Sequence, residues 1–352
     1  MIEYLDVHAA SARDNIHWPD VYFAPSYGAA MEESDGGTWE VAVGAGGRIL
    51  SPYLLRPIDP ELCGGDRLFD AVSPYGYAGT WVAPGVSPRE VAAFRVELRR
   101  SQAERGVVTE FQRLGGLVPG RSEVIDADPD AEAIRHNDTV ELVMDGDYDT
   151  YWTGAHGRHR TSVRKARKTG YIWAENSAPL DELLDGGRFR ALYDDTMRRV
   201  DAKPYYFFTD RYYELLHAAL GDDLRLGRVL NGEGTMVAAA LFMRWGDRLH
   251  YHLAGSERDA ARAGANNLLL DGTIAWGFDY GIRSLHLGGG LRADDALFKF
   301  KIQFGGQRVP FWLLRTVLDP SRYTQLVTRR AAQTDRSPEE LVMSGFFPAY
   351  RA

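Results

Sequence analysis

The sequence is short of cysteine, of lysine and of long apolar runs, and each shortage excludes a class of protein or site. Its single cysteine, Cys63, excludes an internal disulfide and a cysteine-rich zinc site. The longest apolar run, about residues 236–243, is too short to span a bilayer. The N-terminal segment has early acidic residues and no apolar core, so we expect no signal peptide, no membrane insertion and a cytoplasmic location.

The chain also has no net positive charge, since the formal net charge is −8 over 352 residues. This balance excludes a generally basic nucleic-acid coat, and any site for a polyanion must be a local patch. A hydrophobic content of 45% and a charged content of 26% are ordinary for a soluble globular protein. The length favours two domains over one.

Lysine provides only five of the 41 basic residues, and two of the five stand in one aromatic segment. That segment, residues 298–304, contains Lys299 and Lys301 among three phenylalanines. Because the chain uses arginine wherever a generic positive charge suffices, a lysine kept here indicates a need for a compact ammonium donor. The alternative is a lysine whose stem lies on a half-buried surface while its charge reaches water.

Two parts of the chain share one order of elements, which indicates an internal repeat. Each has a hairpin with a glycine-containing turn, then a helix, then a glycine followed by a strand. The first copy comprises residues 39–43 and 49–56, 88–105 and 106–117. The second comprises residues 226–230, 237–244 and 249–253, 266–280 and 281–291. This order predicts an α+β fold with mixed sheets flanked by helices, present twice.

The acidic segment 126–138 is typical of a surface loop, and we place the domain change after it, near residue 150. The predicted domains are residues 1–150 and 151–317, with the tail 318–352 packing back on the first. Apolar spacing predicts further helices over residues 180–200, 209–220 and 321–333.

Six basic residues lie between residues 158 and 168, in a stretch that contains no acid from residue 154 to 173. They are Arg158, Arg160, Arg164, Lys165, Arg167 and Lys168. Thr161 or Ser162 would cap a short helix, and Gly170 would end it. The resulting cationic face suits a phosphate-rich partner such as tRNA, coenzyme A or a nucleotide-linked substrate; the alternative is a solvated helix face.

Aromatic side chains between turn residues form two further candidate sites. Tyr75 and Tyr77 are typical of a cleft wall for a polar organic substrate, or of a tight turn packed on the core. The run 202–208, which includes Tyr206, indicates a pocket wall or core packing. His250 and His252 alternate on one predicted strand without a third ligand, so we interpret them as structural and predict no metal site.

The triplet Gly288, Gly289 and Gly290 lets a substrate backbone approach closely, or only closes a turn. With the segments above it resembles the Fem-type (FemABX-like) aminoacyl-tRNA-dependent peptidyltransferases. Residues 158–170 resemble that family's basic segment, and residues 73–79 resemble a tyrosine-glycine loop. Residues 251–256, 265–269 and 276–281, the glycine triplet and the 300–304 Phe-Lys-x-x-Phe motif follow in the same order, over about residues 20–320.

The resemblance implies two tandem GNAT-like (acyl-CoA N-acyltransferase-like) domains and an acyltransferase that needs no cofactor beyond its co-substrate. That co-substrate would be aminoacyl-tRNA, whose aminoacyl group moves to an amine and forms an amide bond. Lys301 would stand at the reaction centre, where its ammonium would stabilise the oxyanion. The basic segment would hold the acceptor end of the tRNA. Tyr75, Tyr77, Tyr206, Asn266 and the glycine triplet would contact substrate.

The chain departs from the cell-wall members of that family in two ways. It has no long heptad-like stretch for a coiled-coil arm, and the surroundings of Lys203 are aromatic rather than basic. Both features favour a small amine or peptide acceptor, as in antibiotic biosynthesis, over formation of a peptidoglycan bridge. An acyl-CoA-dependent N-acyltransferase is the alternative. Enzymes of that class that bind CoA have the signature [QR]-x-x-G-x-[GA] at the start of a helix, but in this chain the arginine, Arg262, stands one residue too close to Gly264.

Overall fold

The computed structural model describes residues 2–290 and 292–352, which fall into two compact units. Unit 1 combines the chain up to His136 with Phe311–Ala352, and unit 2 is Asn137–Pro310. Both divisions fall inside strands, and the first lies within the acidic segment 126–138 rather than after it. They therefore differ from the boundaries after residues 150 and 317 that composition indicated.

Strands and helices are interspersed along the described residues. The strands are β1 Glu3–Asp6, β2 Thr38–Gly44, β3 Ile49–Pro57, β4 Phe69–Val72, β5 Trp81–Val82, β6 Val107–Leu114, β7 Glu132–Val143, β8 Ile172–Ser177, β9 Leu224–Leu230, β10 Met236–Trp245, β11 Arg248–Ser256, β12 Ser284–Gly289 and β13 Gln307–Val317. The α-helices are α1 Val7–Ser11, α2 Pro25–Asp35, α3 Pro60–Cys63, α4 Pro88–Glu104, α5 Arg121–Asp126, α6 Tyr148–Gly154, α7 Gly157–Lys168, α8 Leu180–Leu183, α9 Arg188–Arg199, α10 Asp210–Leu220, α11 Arg258–Arg262, α12 Ala265–Asp279, α13 Ala296–Ile302, α14 Pro320–Gln333 and α15 Pro338–Met343.

Each unit has a mixed sheet in which the described residues form one parallel pair of neighbouring strands, and in both units a helix leads to the second strand of that pair. In unit 1 the strand order is β1-β2-β3-β4-β6-β13, with β5 beside β3, and β4 and β6 are parallel. In unit 2 the order is β7-β12-β11-β10-β9-β8, and β11 and β12 are parallel. The helices α4 and α12 make the two crossovers. The repeat and the α+β fold predicted from the sequence are thus confirmed.

The centre of unit 2 is the apolar helix α12, which is buried along most of its length. Leu268, Leu269 and Ile274 belong to one cluster with Phe242 of β10 and Leu285 of β12. A helix that is apolar all round must be covered on every side. Here α7 also packs against α12, so the basic helix is part of the unit rather than a peripheral arm.

Two local predictions were wrong. The helix predicted over residues 180–200 is split into α8 and α9, because Gly186 has a positive φ of 89° and a Cβ on Gly187 would overlap backbone carbonyls of α8. The segment 126–138 contains the end of α5 and half of β7 rather than a single loop. Among the described residues, no helix combines the length and apolar character that crossing a membrane requires.

Candidate functional site

The parallel strands β11 and β12 separate part of the way along their length. Their paired register runs from Arg248 opposite Ser284 to His250 opposite His286, although β11 continues to Ser256 and β12 to Gly289. A bulge at Gly288, where φ is +69°, turns β12 at this point. The backbones of residues 251–256 and 287–290 therefore border an opening, which we call the wedge, whose closed end is the pair His250 and His286.

Lys301 points its ammonium into the wedge. Its Nζ donates a hydrogen bond to the carbonyl oxygen of Gly289 over 2.7 Å and lies 5.7 Å from the centre of the Tyr251 ring. Only 6% of the residue is exposed, and burial lowers the pKa of its ammonium to about 8, although Asp295 opposes this shift. The side chain is thus a buried ammonium donor, and it does not extend along the surface into water.

The short helix α13 places Lys301 there. Asp295 caps its start, accepting a hydrogen bond from the Phe298 amide over 2.8 Å, while Phe298 and Phe304 are buried. Gly290 is required next to this cap, because a Cβ there would overlap the Asp295 carboxylate. The glycine triplet therefore fits β12 closely against the start of α13, in addition to making the turn.

Three histidines lie on the two strands that form the wedge; His250 and His286 are buried, and His252 is half-buried. The rings of His250 and His286 meet edge to face with centres 5.8 Å apart, and His252 is bonded through Nε2 to the Tyr212 hydroxyl over 2.6 Å. Burial and the neighbouring His250 lower the pKa of His252 to about 3. Burial, His250 and Lys301 hold the pKa of His286 well below its usual range. No group of three or more His, Cys, Asp or Glu side chains suited to a metal ion occurs in the described part of the chain.

The basic segment forms the predicted helix, α7, but its start was predicted wrongly. His156 caps the helix by accepting the Arg158 amide over 3.2 Å, so Thr161 and Ser162 stand inside it. Gly170 follows the end with a φ of +88°, as predicted. The exposed basic residues are Arg158, Arg164, Lys165, Arg167 and Lys168. Arg160 is half-buried and donates to the Thr153 carbonyl over 3.0 Å.

A buried polar cluster fixes α7 against α12. His159 and Asp271 have no exposed surface and stand 3.3 Å apart, between Nε2 and Oδ1. Asp271 also accepts hydrogen bonds from Tyr148 and Arg167, each over 3.0 Å. Sequence reasoning missed both residues; the available signal was an aspartate within the apolar run of α12. The pair holds the cationic face in one position.

The start of α12 lies beside the same helix. Gly264 caps it in a left-handed conformation, with a φ of +95°, and a Cβ there would overlap the Ser162 carbonyl oxygen of α7. Lys165 donates to the Arg262 carbonyl just before this cap, over 2.9 Å. Asn266, predicted to contact substrate, is half-buried in the first turn of α12. The first turn of α12 and the cations of α7 are therefore neighbours, and both favour anions.

The predicted tyrosines occupy different places. Tyr206 lies in unit 2 in the 3-10 turn Pro204–Tyr206, where its carbonyl accepts a hydrogen bond from Tyr193 over 2.8 Å. Tyr75 and Tyr77 lie in unit 1, between β4 and β5, and both are half-buried. Tyr77 packs edge to face against Tyr22, with ring centres 5.5 Å apart. These two tyrosines are therefore packed in part against the core of unit 1.

Comparison with known proteins agrees with this architecture. Residues 155–299, inside unit 2, match the family described as the acetyltransferase (GNAT) domain. No curated protein matches the sequence. FemX has 14% identity, a TM-score of 0.65, and coverage of 91% of this chain and 98% of its own. L-PGS from Bacillus licheniformis is 15% identical, has a TM-score of 0.55, and is matched over 90% of this chain and 98% of its own.

A third solved structure, a tandem GNAT protein from the clavulanic acid biosynthesis pathway, has 12% identity and a TM-score of 0.51 over 91% of this chain and 99% of its own. At these identities the likeness shows the fold. The chain therefore has the fold of FemX and of the tandem GNAT protein, and residues 155–299 of unit 2 are similar to the acetyltransferase (GNAT) domain. The fold predicted from the resemblance to Fem-type proteins is confirmed.

Proposed function

We propose that this protein moves an aminoacyl group from charged tRNA to the amine of a small molecule or peptide and so forms an amide bond. The observation that carries acyl transfer is the Lys301 ammonium inside the wedge. When an amine attacks the ester, the carbonyl oxygen becomes an oxyanion, and a buried ammonium is a strong donor to it. One such donor lowers the barrier by about 3 kcal/mol.

The exposed face of α7 favours tRNA as the donor. Within the described residues, Arg158, Arg164 and Lys168 are exposed and no carboxylate pairs with them. In a chain of net charge −8, such a face is a local site for a polyanion. It lies beside the first turn of α12, so a nucleic-acid backbone on α7 would also meet that helix terminus.

The aromatic side chains of residues 202–208 favour a small amine or peptide as the acceptor. The run 202–208 places Tyr205 and Tyr206 edge to face, with ring centres 5.4 Å apart, beside Lys203. These amphipathic rings suit a small amine or peptide, as in the biosynthesis of an antibiotic, better than a highly charged nucleotide-linked precursor. A peptidoglycan precursor remains an acceptor to include in the assay.

Acyl-CoA is the second candidate donor, and a specific observation favours it. Gly264 caps α12 in the left-handed conformation without a side-chain cap, so the first turn offers backbone amides to a pyrophosphate. The wedge and Lys301 would serve a thioester as well as an ester. The two donors are separated by experiment.

The deciding experiment offers the pure protein labelled aminoacyl-tRNAs or labelled acetyl-CoA, each with a library of amines and small peptides. Under the proposal, label moves from tRNA to a small molecule, and RNase abolishes the transfer. Transfer from acetyl-CoA alone would replace the tRNA donor by CoA. Transfer from neither donor to any acceptor would contradict acyl transfer as the function.

Lys301→Ala should lower kcat about 100-fold or more while the protein stays folded, because it removes the donor to the oxyanion. Lys299→Ala is the matched control, since Lys299 is exposed two residues earlier on α13. Its kcat should stay within twofold of the wild type. Single-turnover rates with saturating donor measure both variants. Equal effects of the two substitutions would remove Lys301 from the reaction.

A further inference from the structure

His286 lies at the closed end of the wedge, where β11 and β12 stop pairing. Only 2% of this residue is exposed. The centre of its ring lies 5.8 Å from the centre of the His250 ring, and the positive charge of Lys301 acts on it electrostatically. Imidazole is a general base only where its lone pair is available, and these neighbours keep His286 neutral. A neutral base thus stands in the same buried opening as the ammonium donor.

Amide formation requires such a base, because the attacking amine must lose a proton. The other titratable groups near the opening are poorly suited to take it. Burial raises the pKa of Tyr251, so its phenol keeps its proton. Asp295 accepts the Phe298 and Arg292 amides, over 2.8 and 3.1 Å. Glu141 of β7, opposite His286 in register, accepts the Ser284 hydroxyl over 2.6 Å.

We infer that His286 accepts the proton of the attacking amine, and this inference rests on the proposed function. The amine nitrogen forms a bond to the ester carbonyl carbon, and the carbonyl π electrons move to oxygen, opposite Lys301. The N–H proton passes to His286. The oxyanion then collapses, the bond from carbon to the ribose oxygen breaks, and that oxygen takes the proton back from the imidazolium. The products are an amide and a free ribose hydroxyl, so no further reactant is needed.

The groups that face His286 set the pH range of this step. His250 and Arg248 lie on β11, Lys301 lies on α13, and Glu141 lies opposite His286 on β7. His252, also on β11, is hydrogen-bonded to Tyr212 of α10. The cations favour the neutral imidazole. We therefore expect the wild-type rate, corrected for the fraction of acceptor amine that is unprotonated, to be flat with pH until Lys301 loses its proton, near a pKa of about 8.

The test is chemical rescue of His286→Ala, using the donor and acceptor identified for the wild type. The variant should lose about 100-fold in kcat at pH 7, and added imidazole should restore much of the loss by filling the vacated space with a base. His250→Ala removes an equally buried ring from the facing strand and should show no rescue. If His286→Ala keeps at least half of the wild-type rate, or if imidazole does not rescue it, the inference is overturned.

If His286→Ala does not fold, as thermal unfolding would show, His286→Gln decides. Its amide keeps the volume but takes no proton, so the rate of this variant, corrected in the same way for unprotonated acceptor amine, should rise with pH below 8, as hydroxide replaces the base. A flat profile like that of the wild type would overturn the role of His286. The proposed function fails separately, because the wild type would then transfer no acyl group from any donor.

Discussion

At the scale of the residue, Lys301 keeps a positive charge at a buried position that disfavours charge. This buried charge should lower the stability of the folded protein. The pKa of its ammonium is about 8 in the folded protein and about 10.5 when unfolded. The folded state therefore binds fewer protons between these values, and stability rises as pH increases through this window. Below pH 8 the full cost of burying the charge is present, on the order of 3 kcal/mol.

Lys301→Met should therefore stabilise the protein at pH 6–7 by about 1–3 kcal/mol, and the gain should shrink as pH rises towards 10. The range allows for the lost hydrogen bond to Gly289. Urea unfolding at several pH values measures the difference, with the exposed Lys299→Met as the control. A gain that does not depend on pH would show that the charge is not the cause.

Rarity identified Lys301, but no comparable signal identified its neighbours. Five lysines among 41 basic residues made that side chain conspicuous. His286 stood in the segment that carries the glycine triplet, yet its importance depends on His250 across the strands and on Lys301 after the turn. His159 meets Asp271 more than a hundred positions away. Sequence shows which residues are unusual for the chain, whereas such pairings require the sheet register and the packing of α7.

At the scale of the element, α7 combines an exposed cationic face with a buried polar attachment. Its buried residues are His159, Val163 and Ala166, and the spacing of three and four residues leaves the cations outside. The expected end signals, together with the run of basic residues, therefore predicted the helix and its cationic face. They could not predict the cap, because His156 caps through a ring nitrogen, which is not among the usual capping groups.

Replacing Arg164 and Lys165 by Gln should weaken donor binding and lower its salt dependence, if the donor is tRNA. Each lost phosphate contact reduces the slope of log K against log salt concentration by about 0.7–0.9. The matched control is Arg89→Gln with Arg100→Gln, two exposed arginines of α4 that change the net charge equally. Fluorescence anisotropy with labelled tRNA at several salt concentrations measures both. A slope unchanged from the wild type would place the nucleic acid elsewhere.

At the scale of the whole molecule, unit 1 takes residues from both ends of the chain. In its C-terminal part, Tyr350 and Arg351 both donate hydrogen bonds to the Asp70 carboxylate of β4. Thr109 of β6 also donates to Asp70, over 3.0 Å. Asp70 and Tyr350 are each 1% exposed. The sequence predicted the helix over residues 321–333 but not this attachment, because the partners are 280 positions apart and neither belongs to a motif.

This attachment means that the last three residues stabilise a unit that begins more than three hundred residues earlier. Removing residues 350–352 takes the Tyr350 hydroxyl and the Arg351 guanidinium away from the buried Asp70 carboxylate, which should cost about 3–5 kcal/mol. Combining the deletion with Asp70→Asn should recover part of that loss, because the stranded charge is gone.

Met343→Ser, at a side chain that is 85% exposed, is the control and should change stability by less than about 0.5 kcal/mol. Urea unfolding of these variants, and of Asp70→Asn alone, measures the differences. If the deletion costs as much in the Asp70→Asn background as in the wild type, lost packing of Tyr350 rather than the unpaired charge would explain the effect.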